Sequence, residues 1–330
     1  MKLSVLDKID SSIEILNGNA YEMDFVSISN TDDPQENSIV FLKNKKYLNL
    51  LGLRSSHAEF KSCLILVEKN YWDGLSVEVK QNLESKFGFL GTIQRVDHAM
   101  CLLSKPFYDH KFSHLNYQVD GRQFDTCEIH PDVEISQNVF IGEGVKIGKG
   151  TKILPGCNIL PNVEIGENCI LYPNITCYPY TTIKNNVRIH AGTVLGTDGF
   201  GYNFFDGKHQ KVWHFSGVII HNDVEIGCNS MIDAGAFTPT EIGFGSKIDN
   251  DVQISHNVKV REHVIICGKT GLAGSVEAKN YSAFGAGAGV APAAIIEEGV
   301  QIAARAVVSE NAVIPKGSVF AGHPARPLRD

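Results

Sequence analysis

Apolar residues recur every six positions along most of the C-terminal two thirds of the chain. From Ile129 the series runs through Ile135, Ile141, Ile147, Ile153, Ile159, Ile165, Leu171, Cys177, Ile183 and Ile189 to Leu195. It resumes at Ile220, Ile226 and Ile232, slips by four residues, and continues from Ile242 through Ile248, Ile254, Val260, Ile266 and Leu272 to Phe320. An α-helix would repeat near 3.6 and a half-buried strand at 2, so neither explains the pattern. Gly often follows the apolar residue, as at Gly142, Gly148, Gly166, Gly227 and Gly243, and a small or β-branched residue often stands four after it, as at Val145, Thr151, Val163, Val187 and Val258. A sustained period of six with this composition predicts a hexapeptide β-helix. Each hexad supplies one short strand and one corner, with the apolar residue inside a narrow prism and Gly or Asn at the corner dihedrals. Three hexads close a coil; the 29 hexads of the series predict about ten coils, or a prism roughly 45 Å long at about 4.8 Å per coil.

Two stretches leave the phase. Residues 196–217, rich in aromatics, must loop out of the prism, and loops on rigid scaffolds often carry function. Phe237 to Glu241 reads as a short corner bulge. Residues 1–103 lack the period altogether. They alternate amphipathic segments (Leu48 to Leu53, Val77 to Phe87) with strand-like runs (Ser38 to Leu42, Cys63 to Val67, Phe87 to Ile93), which predicts a small α/β domain. The expected organisation is therefore this domain at 1–103, a linker at 104–126, and a β-helix at 127–330 with an insertion at 196–217.

Composition narrows the partners. A net charge of −7 over 330 residues gives no broad basic surface for nucleic acid. No apolar run approaches the ~18–20 residues of a membrane span, and Asp7, Lys8 and Asp10 interrupt the N-terminal segment where a secretory signal would be apolar. A cytoplasmic protein without stable membrane insertion is expected. None of the eight cysteines forms a CxxC pair, so they read as small packing residues or free thiols rather than a metal or redox centre.

Several motifs stand in a telling order. Ile39-Val40-Phe41-Leu42-Lys43-Asn44-Lys45-Lys46-Tyr47 lies in the small domain. Within the repeats come His190-Ala191-Gly192, then Gly196-Thr197-Asp198-Gly199-Phe200-Gly201-Tyr202, then Ile248-Asp249-Asn250 and Ile254-Ser255-His256-Asn257. This arrangement resembles the UDP-3-O-acylglucosamine N-acyltransferases of lipid A biosynthesis over nearly the whole chain. The resemblance implies a left-handed parallel β-helix, a homotrimer with ligand sites in the grooves between subunits, and transfer of a 3-hydroxyacyl chain from acyl carrier protein to the amino group of a UDP-3-O-acyl-glucosamine-type sugar. The acyl-phosphopantetheine of the carrier protein is then a co-substrate, and no further cofactor or metal is implied.

Candidate residues follow. Amide formation requires the attacking amine to lose a proton, which suits a neutral imidazole, and His256 occupies the position of the family's catalytic histidine. Eighteen residues on, Gly274 matches the glycine whose backbone N–H holds the family's oxyanion; it could equally be a plain corner glycine. Asp249 and Asn250 lie about one hexad before His256, on a neighbouring face, as substrate-facing residues near enough to influence the histidine or as ordinary Asx turn chemistry. Phe41 and Tyr47, with Asn44 between them, match the family's uracil site; they could also pack inside the small domain. Lys43, Lys45 and Lys46 add local positive charge suited to a diphosphate, or form an ordinary solvated face. Gly199, Phe200, Tyr202, Trp213 and His214 either line a ligand groove or pack against a neighbouring prism.

The chain departs from the family in two places. The stretch Gly289 to Ala294 has no histidine where the family has Gly-His. The chain also ends near Ala321-Gly322-His323-Pro324-Ala325-Arg326, where a helical extension is usual. That ending resembles hexapeptide sugar acetyltransferases, so a nucleotide-sugar N-acetyltransferase using acetyl-CoA is the alternative. A hexapeptide metalloenzyme would need histidines on facing prism surfaces, whereas His209 and His214 both fall in the insertion. A non-catalytic scaffold would be indifferent to loss of His256.

Overall fold

The hexads close into a three-faced parallel β-solenoid. The computed structural model describes residues 1–18, 20, 23–53, 55, 59–123, 125–324, 326 and 327; Phe124 of the expected linker and Ala325 of the terminal motif lie outside them. Strand Lys152–Ile153 pairs in parallel with Glu134–Ile135 before it and Ile170–Leu171 after it, so each coil takes 18 residues. About eleven turns run between residues 128 and 320. Neither interruption costs register, since Ile183 pairs with Ile220 across the loop and Ile220 with Ile242 across the bulge.

The inward residues of the series, Ile141, Ile159, Cys177, Leu195, Ile232 and Ile254 among them, are fully buried in one continuous core. Burying each large aliphatic contributes about 1.5–3 kcal/mol. The corner geometry differs from the simple expectation. The left-handed residue stands three after the inward one, as at Gly144 (φ 68°), Gly150, Asn162, Asn168, Asn174 and Asn186. Gly and Asn adopt this conformation at least cost. Gly142, directly after Ile141, serves another purpose. A Cβ there would lie 2.5 Å from the Pro161 nitrogen of the next coil. Glycine at this position lets successive coils approach, and the sequence pattern alone did not separate the two roles.

The chain divides into two compact units, residues 1–114 with 201–215, and residues 115–200 with 216–330. The first contains a mixed five-stranded sheet of β1 (Glu14–Asn17), β2 (Ser27–Ser29), β3 (Ser38–Leu42), β4 (Phe60–Glu68) and β5 (Phe87–Ile93). Their order is β1-β5-β4-β3-β2, with only β1 antiparallel to its neighbour. Helices α1 (Leu3–Ile9), α2 (Lys45–Leu50), α3 (Lys69–Asp73), α4 (Val77–Lys86) and α5 (Val96–Phe112) complete it. Helix α5 runs through the first part of the expected linker. It continues past Pro106 with Val96, Ala99, Leu103 and Phe107 all buried. Burial on both sides of the proline holds it in one helix.

Residues 201–215 belong to the same unit, although the sequence assigns them to the β-helix. They form an antiparallel hairpin, Tyr202–Phe205 with Lys208–Lys211, whose inner side is held by α5. Asn203 donates to the Asp97 carbonyl at 2.9 Å and the Trp213 backbone N–H donates to Ser104 at 3.1 Å. Phe205 meets His98, and Trp213 meets Tyr108. Phe205, Trp213 and Phe215 of the insertion find partners on the helix, which accounts for the departure from the prism.

Candidate active site

His256 occupies the corner after strand Gln253–Ile254, and the next residue controls it. Asn257 is buried and left-handed, with φ 61°. Its amide nitrogen donates to the Thr238 carbonyl at 2.9 Å, an atom that can only accept. Its Oδ1 therefore faces the Ala236 N–H at 3.1 Å and His256 Nδ1 at 3.1 Å. An oxygen that can only accept requires the proton on Nδ1. Nε2 is then the basic nitrogen, the arrangement a general base needs. Burial lowers the His256 pKa from its ordinary value, against a smaller upward pull from the Asn257 bond. Burial disfavours the imidazolium, so the ring is neutral near pH 7.

Gly274 lies on the same corner one coil on, because strand Gly271–Leu272 pairs in register with Gln253–Ile254. A Cβ on Gly274 would stand 2.7 Å from both Cε1 and Nε2 of His256. The imidazole thus lies directly against the Gly274 backbone, and only glycine leaves room for it. The Ser275 N–H donates to the His256 carbonyl at 3.0 Å, tying the two corners together. Any group approaching Nε2 meets main chain on that side, where backbone amides can stabilise developing negative charge.

Asp249 and Asn250 are not brought to this corner. They follow strand Lys247–Ile248 on the preceding face, with the whole of Gln253–Ile254 intervening. The Asp249 carboxylate accepts the backbone N–H of Asn250 at 2.7 Å and of Gly268 at 2.9 Å, and the Asn250 side chain accepts that of Cys228 at 2.7 Å. These are exposed turn residues satisfying main-chain donors of adjacent coils. The expected influence of Asp249 on His256 is not seen: the histidine is shifted downward, by burial.

One carboxylate at the His256 corner escaped the sequence reading. Asp233 follows Ile232 as Ser255 follows Ile254, so it stands one coil before the residue next to His256. It is only 8% exposed and accepts from Gln253 Nε2 at 3.2 Å. Burial pushes its pKa up to about 6, and the nearby Asp198 adds to the shift. The available signal was an acid directly after an inward isoleucine, just before the slip in phase.

In the first unit, Phe41 lies on β3 and is 6% exposed, whereas Tyr47 on α2 is 38% exposed. Asn44 caps α2, its side-chain oxygen accepting the Lys46 N–H at 3.0 Å. Lys43 pairs with Asp97, which raises its pKa. Of the two rings, Tyr47 offers the stacking surface, while Phe41 belongs to the interior. Trp213 is flanked by Lys105 and Lys211, 4.7 and 5.3 Å from its ring. Among the described residues no cluster of three or more metal-ligating side chains occurs, and no helix is long and apolar enough to cross a membrane.

Comparison with known proteins adds to this geometry. A family profile described as GMPPB C-terminal domain matches residues 123–199. The UDP-3-O-acylglucosamine N-acyltransferase of Methylobacterium nodulans is 42% identical over 151 residues, 46% of this chain and 42% of that protein. The protein of the same name from Helicobacter hepaticus is 42% identical over 142 residues, 43% of each chain. The alignments thus span less than half the length of these curated relatives. Among solved structures, a UDP-N-acetylglucosamine acyltransferase from Campylobacter jejuni covers 61% of this chain and 73% of its own at 20% identity, with a TM-score of 0.49. Over its repeat half the chain is a homologue of the UDP-3-O-acylglucosamine N-acyltransferases.

Proposed function

We propose that, as in those homologues, the catalytic corner transfers an acyl group to an amino sugar. The reaction joins a 3-hydroxyacyl thioester of acyl carrier protein to the amine of a UDP-3-O-acyl-glucosamine-type sugar. The observation that carries the reading is the imidazole of His256, its proton held on Nδ1 by Asn257 and its Nε2 against the Gly274 backbone. In the proposed step Nε2 takes a proton from the amine as nitrogen attacks the thioester carbonyl. The oxyanion is stabilised by the Gly274 main chain. Collapse of the tetrahedral intermediate breaks the C–S bond and the imidazolium returns the proton to the departing thiolate. The uracil stacks on Tyr47, Asn44 reads its edge, and the active assembly is a homotrimer.

The test is a mass-spectrometric assay of the purified protein with UDP-amino sugars, offering acyl carrier protein thioesters and acetyl-CoA in parallel. His256→Ala should lower kcat by about 10²–10⁴-fold, the usual worth of a general base. Turnover close to wild type in that variant would remove His256 from the chemistry. Acetyl-CoA belongs in the assay because its thioester arm is the same phosphopantetheine as that of acyl carrier protein, so only turnover separates the two donors.

A further inference from the structure

A carboxylate oxygen taken out of water needs a hydrogen-bond donor, because a buried acceptor without one keeps its full desolvation cost. Asp249 shows how the solenoid meets that need: its two oxygens accept the main-chain N–H groups of Asn250 and Gly268, one each. Asp233 is built differently. It is 8% exposed, and its Oδ2 accepts from the side-chain amide of Gln253 at 3.2 Å. Its Oδ1 has no donor among the described residues, yet it is not sealed from water. One oxygen is thus held in place while the other remains an open acceptor.

The position of that acceptor narrows what it meets. Its strand, Met231–Asp233, pairs in register with Gln253–Ile254, which leads directly into His256. The counterpart of Asp233 one coil on is Ser255, whose side chain is short. The segment after Asp233 supplies the Ala236 N–H and the Thr238 carbonyl that fix Asn257, and Asn257 fixes the imidazole. Carboxylate and base therefore belong to one rigid corner, one coil apart. A coil rises about 4.8 Å, which is also close to the separation of equatorial substituents on alternate carbons of a pyranose ring. With the amine at C2 of a glucosamine-type sugar against His256 Nε2, the equatorial hydroxyl at C4 reaches the level of Asp233.

We propose that Asp233 is a specificity-determining residue of this corner, its Oδ1 accepting a hydrogen bond from the C4 hydroxyl of the amino sugar while Gln253 holds Oδ2. The proposal rests on the amine acylation reading above and adds which sugar is accepted. The bond goes to a hydroxyl, so the amine stays neutral and keeps its lone pair for the thioester carbonyl. In a galacto sugar the C4 hydroxyl is axial and misses the carboxylate, while the ring still covers Oδ1 from water. A site built to bond a hydroxyl rejects a ligand that does not present it.

The experiment titrates UDP-glucosamine and UDP-galactosamine into the full chain by calorimetry. It is run at pH 8, where Asp233 is ionised, burial having pushed its pKa up to about 6. Wild type should bind the gluco sugar about 10-fold more tightly, as expected for a hydrogen bond to a charged group. Asp233→Ala should weaken UDP-glucosamine about 10-fold and change UDP-galactosamine by less than about 2-fold, which abolishes the preference. Asp233→Asn still accepts from Gln253 and presents a neutral amide to the hydroxyl, so it should keep a preference of about 3-fold; this variant carries the comparison if the alanine protein melts early. Equal weakening of both epimers would reduce Asp233 to a structural role, and a full preference surviving both substitutions would place recognition elsewhere. Wild type binding both sugars equally would overturn this proposal alone. Wild type binding neither would overturn the amino-sugar reading, and this proposal with it.

Discussion

At the scale of single residues, the hydrogen bonds of Asn257 do more than hold a corner. They select one imidazole tautomer, and burial keeps the ring neutral. The activity should therefore rise with pH through an apparent pKa below the ordinary histidine value of about 6.5. The sign follows from the burial: the protonated form is disfavoured, so the base becomes available at lower pH than for an exposed histidine. An Asn257→Asp variant should move this limb to higher pH, since a carboxylate beside Nδ1 favours the imidazolium. A pH–rate profile of both proteins checks the direction. Gly274→Ala places a methyl 2.7 Å from Nε2. It should depress kcat while leaving the thermal midpoint within a few degrees, measured by turnover and calorimetric melting together.

At the scale of elements, the solenoid depends on two kinds of position. Ile254→Ala opens a cavity in the prism and should cost about 2–5 kcal/mol. Asn186→Ala strains a left-handed corner and should cost about 1 kcal/mol, with denaturant midpoints separating the two. The inward series was legible because a period of six has no other source, and β3 and β5 were legible in full as apolar runs. The proximity of His256 and Gly274 was legible too, since they are one 18-residue coil apart. The role of Asn257 was not, because its partners Ala236 and Thr238 lie at the edge of and within the bulge where the phase is lost. The docking of 201–215 on α5 was hidden for a similar reason: aromatic residues announce packing but not its partner. Phe41 and Tyr47 looked alike as two rings near a helix start, yet their exposures of 6% and 38% assign them different work. Tyr47→Ala should weaken UDP-sugar binding by about 1–3 kcal/mol if the ring stacks on uracil, whereas Phe41→Ala should chiefly destabilise the first unit. Calorimetric titration and melting curves distinguish these effects.

At the scale of the whole molecule, the proposed trimer is checked by light scattering at micromolar concentration, with a mass near three times 36.1 kDa as the expected result. The ladder of coils has a separate consequence. Away from the loop and the bulge, each residue of the solenoid has its counterpart 18 positions away on the same face, so the chain behaves as a screw thread whose length can change only by whole turns. Excising residues 152–169 would remove one turn and rejoin Glu134–Ile135 to Ile170–Leu171 in the same register, leaving the coils around His256 untouched. Excising 152–157 instead would rotate every later residue by one face, so that strands of different faces would have to stack. Over an evolutionary history of insertions and deletions, such a protein is expected to lengthen by duplicating turns and to diversify at its two bulges, where extra residues leave the pitch unchanged.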